Sequence, residues 1–143
     1  MRWVTRSGPH VDRMASAWLI SRFIDPEAEF CFTSDPDDLP VGATPFDMRG
    51  AELSHRGEHC TFETLIARYE LTDPALDEIA TLVHEADIGD DRYLAPAAPG
   101  LDLVTRAISL VSGDQEALRI GMIVFEGLYE HIRQTLLGRP AGP

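Results

Sequence analysis

The sequence is poor in cysteine and in long apolar runs, and each shortage excludes a class of protein. Two cysteines in 143 residues are too few for a disulfide scaffold. No segment approaches the roughly 18 consecutive apolar residues of a membrane-spanning helix. The amino terminus also lacks the apolar core of a signal peptide. We therefore expect a cytoplasmic location and no contact with a membrane.

Basic residues are scarce as well. Twelve basic residues against 24 acidic ones give a formal net charge of −12. Nucleic-acid binding depends on cationic contacts with phosphates, so this charge opposes it. We expect no direct binding of nucleic acid by this chain. The acidic excess is typical of a solvated surface that keeps a protein in solution.

The spacing of apolar residues divides the chain into a mixed first half and a helical second half. Extended segments at 2–6, 28–33 and 46–48 flank a helical pattern over 11–24. Four further helical patterns begin near Thr61, Pro74, Leu101 and Asp114. This order predicts an α/β fold, a small, largely parallel sheet packed by helices with an all-helical second half. We expect one domain over residues 1–137 and a disordered tail over 138–143.

The last helical pattern carries a continuous apolar stripe. Its members recur at steps of four and three residues: Leu118, Met122, Phe125, Tyr129, Ile132 and Leu136. A spacing near 3.5 residues is typical of a helix that pairs with another helix. The stripe is either a homodimer face or a surface buried within the monomer.

Histidine and aspartate residues stand at the ends of the predicted strands. His10 and Asp12 follow the first strand, Asp47 ends or follows the third, and His55 follows a short extended piece around Leu53. Ligand sites of open parallel sheets lie beyond the carboxyl ends of the strands. We therefore expect these side chains to lie close together.

Asp87 is an independent indication of the same site. It lies four residues after Val83, on the apolar face of the helix that begins at Pro74. An unpaired carboxylate is costly to bury, so Asp87 requires a metal cation, an arginine from elsewhere, or exposure through fraying of the helix end.

Together, these residues predict a metal site with His10, Asp12, Asp47, His55 and Asp87 as ligands. Two imidazoles with several carboxylates suit a divalent transition metal, Mn²⁺ or Fe²⁺ in preference to Zn²⁺, and do not suit Ca²⁺. We expect Glu63 and His84 to be outer partners of these ligands. Cys60 directly precedes a predicted helix, where thiol pKa values fall, and is a further candidate for ligation or redox chemistry.

Eight short segments carry a specific family pattern. They read WVTR at 3–6, VDRMA at 11–15, WLISRFID at 18–25, AEF at 28–30, PFD at 45–47, SHRG at 54–57, CTFE at 60–63 and DPAL at 73–76. These segments resemble the chromate-resistance domain at the C-terminal end of ChrB proteins, over about residues 1–110. The resemblance implies a metal-binding domain that acts in the response to chromate or to oxidative stress. We expect the domain to stand alone here, without the N-terminal segment of the longer proteins.

A more remote similarity is to the DHH-type phosphoesterases. In those enzymes a strand, a turn with His and Asp, and a helix are followed by further Asp and His ligands. The order His10, Asp12, Asp47, His55 and Asp87 is similar. This similarity implies hydrolysis of a small anionic phosphoester, in which the cation activates the attacking water. Three hypotheses follow: a metal-binding stress-response domain, a metal-dependent hydrolase, and a non-catalytic sensor or partner protein.

Overall fold

The computed structural model describes residues 1–138. Its strands and helices, in chain order, are β1 (Arg2–Arg6), α1 (Val11–Leu19), β2 (Glu29–Thr33), β3 (Ala43–Pro45), α2 (Thr61–Arg68), α3 (Pro74–Asp87), α4 (Ala98–Val111) and α5 (Asp114–Leu136). A π-helical turn, Ile20–Ile24, continues α1. The predicted α/β class with a helical second half is confirmed. The predicted tail lies outside the described residues from position 139 onward.

The sheet has three strands and is parallel throughout. β1 lies between β2 and β3, with Val4 opposite Cys31 on one side and Pro45 on the other. Proline lacks an N–H donor and is tolerated on such an edge strand. Because the three strands run in the same direction, the segments that follow β1 and β3 begin at the same edge of the sheet.

The sequence pattern predicts the third strand over 46–48, but the strand lies over 43–45. Phe46 pairs with Leu53 through a single bridge, and Asp47 then takes a left-handed backbone conformation with φ of 50°. A strand cannot continue through that conformation. Phe46 and Met48 are nevertheless both buried, which explains why the segment reads like a strand.

Helix α1 lies in the core and packs against each of the four later helices. Its buried face includes Val11, Met14, Ala15 and Trp18, as the spacing predicts. The centre of the α5 stripe packs on this helix, where the Trp18 ring lies 6.4 Å from Phe125 and 5.5 Å from Tyr129. The stripe is therefore buried within the chain at its centre, while Leu136 at its end is exposed.

Gly121 on α5 lies directly against Met14 on α1. A Cβ atom there would lie 2.7 to 2.9 Å from three side-chain atoms of Met14. We expect Gly121→Ala to lower the free energy of unfolding by about 1–3 kcal/mol, because overpacking outweighs the better helix propensity of alanine. Gly127 on the same helix faces open space, so Gly127→Ala is expected to raise that free energy by about 0.5–1 kcal/mol. Urea denaturation measures both, and equal effects at the two positions would contradict the close contact.

None of the helices described between residues 1 and 138 is long and apolar enough to cross a membrane.

Candidate metal centre

Five side chains from separate parts of the chain line one cavity of about 220 Å³. Along with Arg13 they are His10, Asp12, Asp47, His55 and Asp87. The first two follow β1, and Asp47 follows β3. His55 lies in the loop before α2, and Asp87 is the last residue of α3. The structure thus brings together the five residues that the sequence analysis named as candidate ligands.

His55 lies between two carboxylates. Its Nε2 atom is 3.0 Å from Oδ2 of Asp12 and 2.9 Å from Oδ2 of Asp87. Hydrogen bonds to these two carboxylates raise the pKa of His55 to about 10, so at neutral pH the imidazole holds a proton between them. Cis ligands of an octahedral cation with bonds of about 2.1 Å are separated by roughly 3 Å. The arrangement therefore suits either a shared proton or a metal ion.

Asp12 is fixed by the amino end of α2. Its side chain is almost fully buried, and the backbone N–H groups of Thr61 and Phe62 donate to its two oxygens at 2.9 and 3.0 Å. These N–H groups belong to the first turn of a helix, where they have no partner within the helix and carry the positive end of its dipole. The first turn of α2 therefore holds the Asp12 carboxylate in one orientation, with Oδ2 directed at His55.

Asp47 has partners of its own on the other side of the cavity. Thr61 Oγ1 donates to its Oδ1 atom at 2.7 Å, and Arg13 donates to its backbone oxygen at 2.6 Å. Arg13 Nε is 3.1 Å from Oδ2 of Asp47, although its N–H does not point at that oxygen. Burial and the nearby Asp12 carboxylate raise the pKa of Asp47 to about 7, against the opposing effect of Arg13. Asp47 is thus already paired with one cation.

His10 is exposed at the rim of the cavity. It caps α1 without a side-chain hydrogen bond to the helix. Partial burial and the neighbouring Arg106 and Arg13 lower the pKa of His10. The neutral imidazole that results is the form that binds metals. His10 is therefore available as a ligand.

Glu63 and His84 lie in a second cluster and contact each other. Nδ1 of His84 is 2.6 Å from Oε1 of Glu63, and its Nε2 is 2.9 Å from Oδ1 of Asp90. None of the hydrogen bonds or ion pairs within residues 1–138 joins these three side chains to His55 or Asp87. The sequence pattern predicts no role in either cluster for Asp90, Arg13 or Thr61.

Comparison with known proteins identifies the family. A family model described as "ChrB, C-terminal domain" matches residues 3–132. Protein ChrB of Cupriavidus metallidurans (strain ATCC 43123 / DSM 2839 / NBRC 102507 / CH34) is 35% identical over 131 residues, which is 91% of this chain and 40% of that protein. The chain thus spans 40% of the length of this curated relative. No solved structure matches. The chain belongs to the family of the ChrB C-terminal domain, the chromate-resistance family that its sequence resembles.

Proposed function

We propose that this domain binds one divalent transition-metal ion, Mn²⁺ or Fe²⁺, through Asp12, His55 and Asp87, and that the ion serves the response to chromate or to oxidative stress. The observation that carries the proposal is the position of His55 Nε2 between two carboxylates, 3.0 and 2.9 Å away. One N–H cannot point directly at both oxygens. A cation at this position contacts all three atoms at once.

The charge of the cavity supports a divalent ion. Asp12, Asp47 and Asp87 contribute three carboxylates, and Arg13 contributes one permanent cation. Once His55 is neutral and acts as a ligand, and at a pH above about 7 where Asp47 is ionised, two negative charges are uncompensated. Burying such charge is costly without a cation, and an ion of charge +2 balances it.

The donor atoms support a hard or borderline ion. Carboxylate oxygens and imidazole nitrogens suit Mn²⁺ and Fe²⁺, whereas thiolates are absent from the lining residues of this cavity. His10 and Asp47 lie beside the three ligands and can complete the coordination.

The cavity of about 220 Å³ leaves room for water or a small anionic ligand beside Arg13. The hydrolase hypothesis uses the same ion to polarise a phosphoryl oxygen, and the sensor hypothesis uses its binding alone.

Metal content and binding affinity test the proposal. We expect purified protein to hold about one Mn²⁺ or Fe²⁺ ion at this centre. His55→Ala is expected to weaken Mn²⁺ binding by more than about 100-fold, beyond the roughly 10- to 100-fold effect typical of residues outside the coordination shell. His131, which is exposed on α5, provides the control, and His131→Ala is expected to bind as the wild type does. Elemental analysis and calorimetric titration measure these values.

Two results together would contradict the proposal: purified protein without near-stoichiometric transition metal, and equal Mn²⁺ affinities for the wild type and His55→Ala.

A further inference from the structure

A second group of ligand side chains lies on the other side of the first turn of α2. Cys60, Glu63 and His84 each offer one ligand atom, and these atoms all lie within 4.8 Å of one another. Cys60 and His84 are fully buried, and the Glu63 side chain is 12% exposed. Cys60 is the N-cap of α2, Glu63 lies in its first turn, and His84 lies near the end of α3. The cluster therefore joins two helices at a buried position.

The orientation of His84 is the one found in metal-ligating histidines. Such residues usually donate the N–H of the second ring nitrogen to a carboxylate, which fixes the ring and its tautomer. Asp90 accepts from Nε2 of His84 at 2.9 Å. Nδ1 then points at Glu63, whose Oε1 atom is 2.6 Å away and also accepts from the backbone N–H of Cys60. Asp90 thus occupies the place of the orienting carboxylate.

The surroundings of His84 hold more negative than positive charge. Carboxylate oxygens of Glu63, Glu85 and Asp90 lie 2.6, 3.9 and 2.9 Å from its ring nitrogens. In the part of the chain that the structure describes, no arginine side chain forms an ion pair with these three carboxylates. A protonated His84 supplies a single positive charge. A divalent ion that displaces one proton from His84 and one from the Cys60 thiol leaves the net charge of the cluster the same. It can therefore replace these protons beside Glu63 and Glu85, whose side chains are 12% and 7% exposed, without adding uncompensated charge.

We propose that Cys60, Glu63 and His84 bind a second divalent ion, Zn²⁺, separate from the centre at Asp12, His55 and Asp87. Thiolate, imidazole and carboxylate together suit Zn²⁺, and three protein ligands leave its fourth position for water. Burial and the nearby Asp12 carboxylate raise the pKa of the Cys60 thiol, the opposite of the fall expected for a cysteine that directly precedes a helix, so the ion has to displace a proton from a neutral thiol. On binding, the protons of the Cys60 thiol and of His84 Nδ1 leave to solvent, while His84 Nε2 keeps its proton and donates it to Asp90. The choice of metal differs from that of the first centre because a sulfur ligand is present.

A cavity of about 500 Å³ gives this position access to solvent. Glu63 lines it, along with His59 and Tyr93. His59 Nδ1 lies 3.4 Å from the second oxygen of Glu63, and the Tyr93 ring packs edge-on against His84 at 5.1 Å. An ion can therefore enter on the Glu63 side, although Cys60 and His84 are themselves buried.

Cobalt substitution tests the proposal, because a thiolate bound to Co²⁺ produces a charge-transfer band in the near ultraviolet. We expect the wild-type protein to show this band. Its intensity is expected to reach a maximum that corresponds to one sulfur-bound Co²⁺ ion per chain, and the band is expected to disappear when Zn²⁺ displaces that ion. Cys60→Ser is expected to lose the band. Cys31 is the only other cysteine of the sequence, so Cys31→Ser is the matched control and is expected to keep it. Asp87→Asn, which alters the first centre, is also expected to keep it.

The wild-type spectrum alone can overturn the proposal, so the test does not depend on the folding of a variant. Bound Co²⁺ without a charge-transfer band would exclude Cys60 as a ligand. Loss of the band in Cys31→Ser would show that Cys31, and not Cys60, is the sulfur ligand. Asp90→Asn is expected to weaken Zn²⁺ binding by roughly 10- to 100-fold, because Asp90 orients the His84 ring. An unchanged Zn²⁺ affinity in that variant would contradict the assigned role of Asp90.

Discussion

Asp12→Ala is expected to lower the free energy of unfolding by about 3 kcal/mol in metal-free protein, because it leaves two buried N–H groups without acceptors. Those groups are the backbone N–H groups of Thr61 and Phe62, which donate to the two Asp12 oxygens. The substitution also removes the negative charge that interacts favourably with the amino end of the α2 dipole. Urea denaturation in the presence of a chelator measures this effect.

Asp12→Ala is also expected to abolish Mn²⁺ binding, because only two of the three proposed ligands, His55 and Asp87, then remain. Asp87→Ala is the matched control. Asp87 is 25% exposed and lies at the end of α3, so its loss is expected to cost less than about 1 kcal/mol, as for other partly exposed ion pairs. Both variants lose the ion, but Asp12→Ala alone loses much stability. Equal destabilisation by the two variants would contradict the anchoring of Asp12 by α2.

The sheet could be predicted where local pattern decides it. β1 and β2 are alternating or aromatic segments bounded by turn residues, and they lie within a residue of the predicted bounds. β3 could not be placed in this way. Asp47 accepts from Thr61, 14 residues further along the chain, and pairs with Arg13, 34 residues earlier. These distant contacts accompany the left-handed conformation that ends the extended segment.

The candidate ligands were visible in the sequence because strand ends and helix faces follow from spacing. His10 and Asp12 follow β1, and Asp87 lies on the buried side of α3. The support of Asp12 was not visible, since its donors are backbone N–H groups 49 and 50 residues away, and backbone groups carry no signal of residue type. Asp90 lies in an acidic loop, and the sequence of such a loop predicts carboxylates that face solvent. The contact of Asp90 with His84 could therefore not be predicted.

For Glu63 and His84, spacing in the sequence predicts that they lie near a metal site but does not predict which side chains they contact. The sequence predicts both as outer partners of one metal centre, because Glu63 lies in the first helical turn after Cys60 and His84 lies three residues before Asp87. The structure joins them to each other and to Asp90. The orientation of an imidazole ring depends on which carboxylate faces each nitrogen, and three-dimensional contacts decide this. A single predicted centre therefore becomes two candidate clusters on either side of one helix turn.

Ion binding by Asp12, His55 and Asp87 is expected to strengthen about tenfold for each unit of pH between about 7 and 9, because each ion displaces one proton. The two carboxylates raise the pKa of His55 to about 10, so the metal-free imidazole is protonated throughout this range. Above pH 10 the proton is already gone, and the affinity is expected to level off. Titration calorimetry in buffers of different ionisation enthalpy measures the released proton, and an affinity independent of pH would contradict the exchange.

The stability of the metal-free protein is expected to depend on pH in the opposite direction. The folded pKa of His55, about 10, lies above its ordinary value of 6.5. Its contribution to stability is therefore complete below pH 6.5 and is lost as the pH rises through 10. Saturating Mn²⁺ is expected to remove this loss, since the ion then joins Asp12 to Asp87 in place of the proton. Thermal unfolding between pH 6.5 and 10, with and without Mn²⁺, measures the difference, and His55→Gln is the control in which the metal-free decline is reduced. Parallel declines with and without the ion would show that Mn²⁺ does not replace the His55 proton.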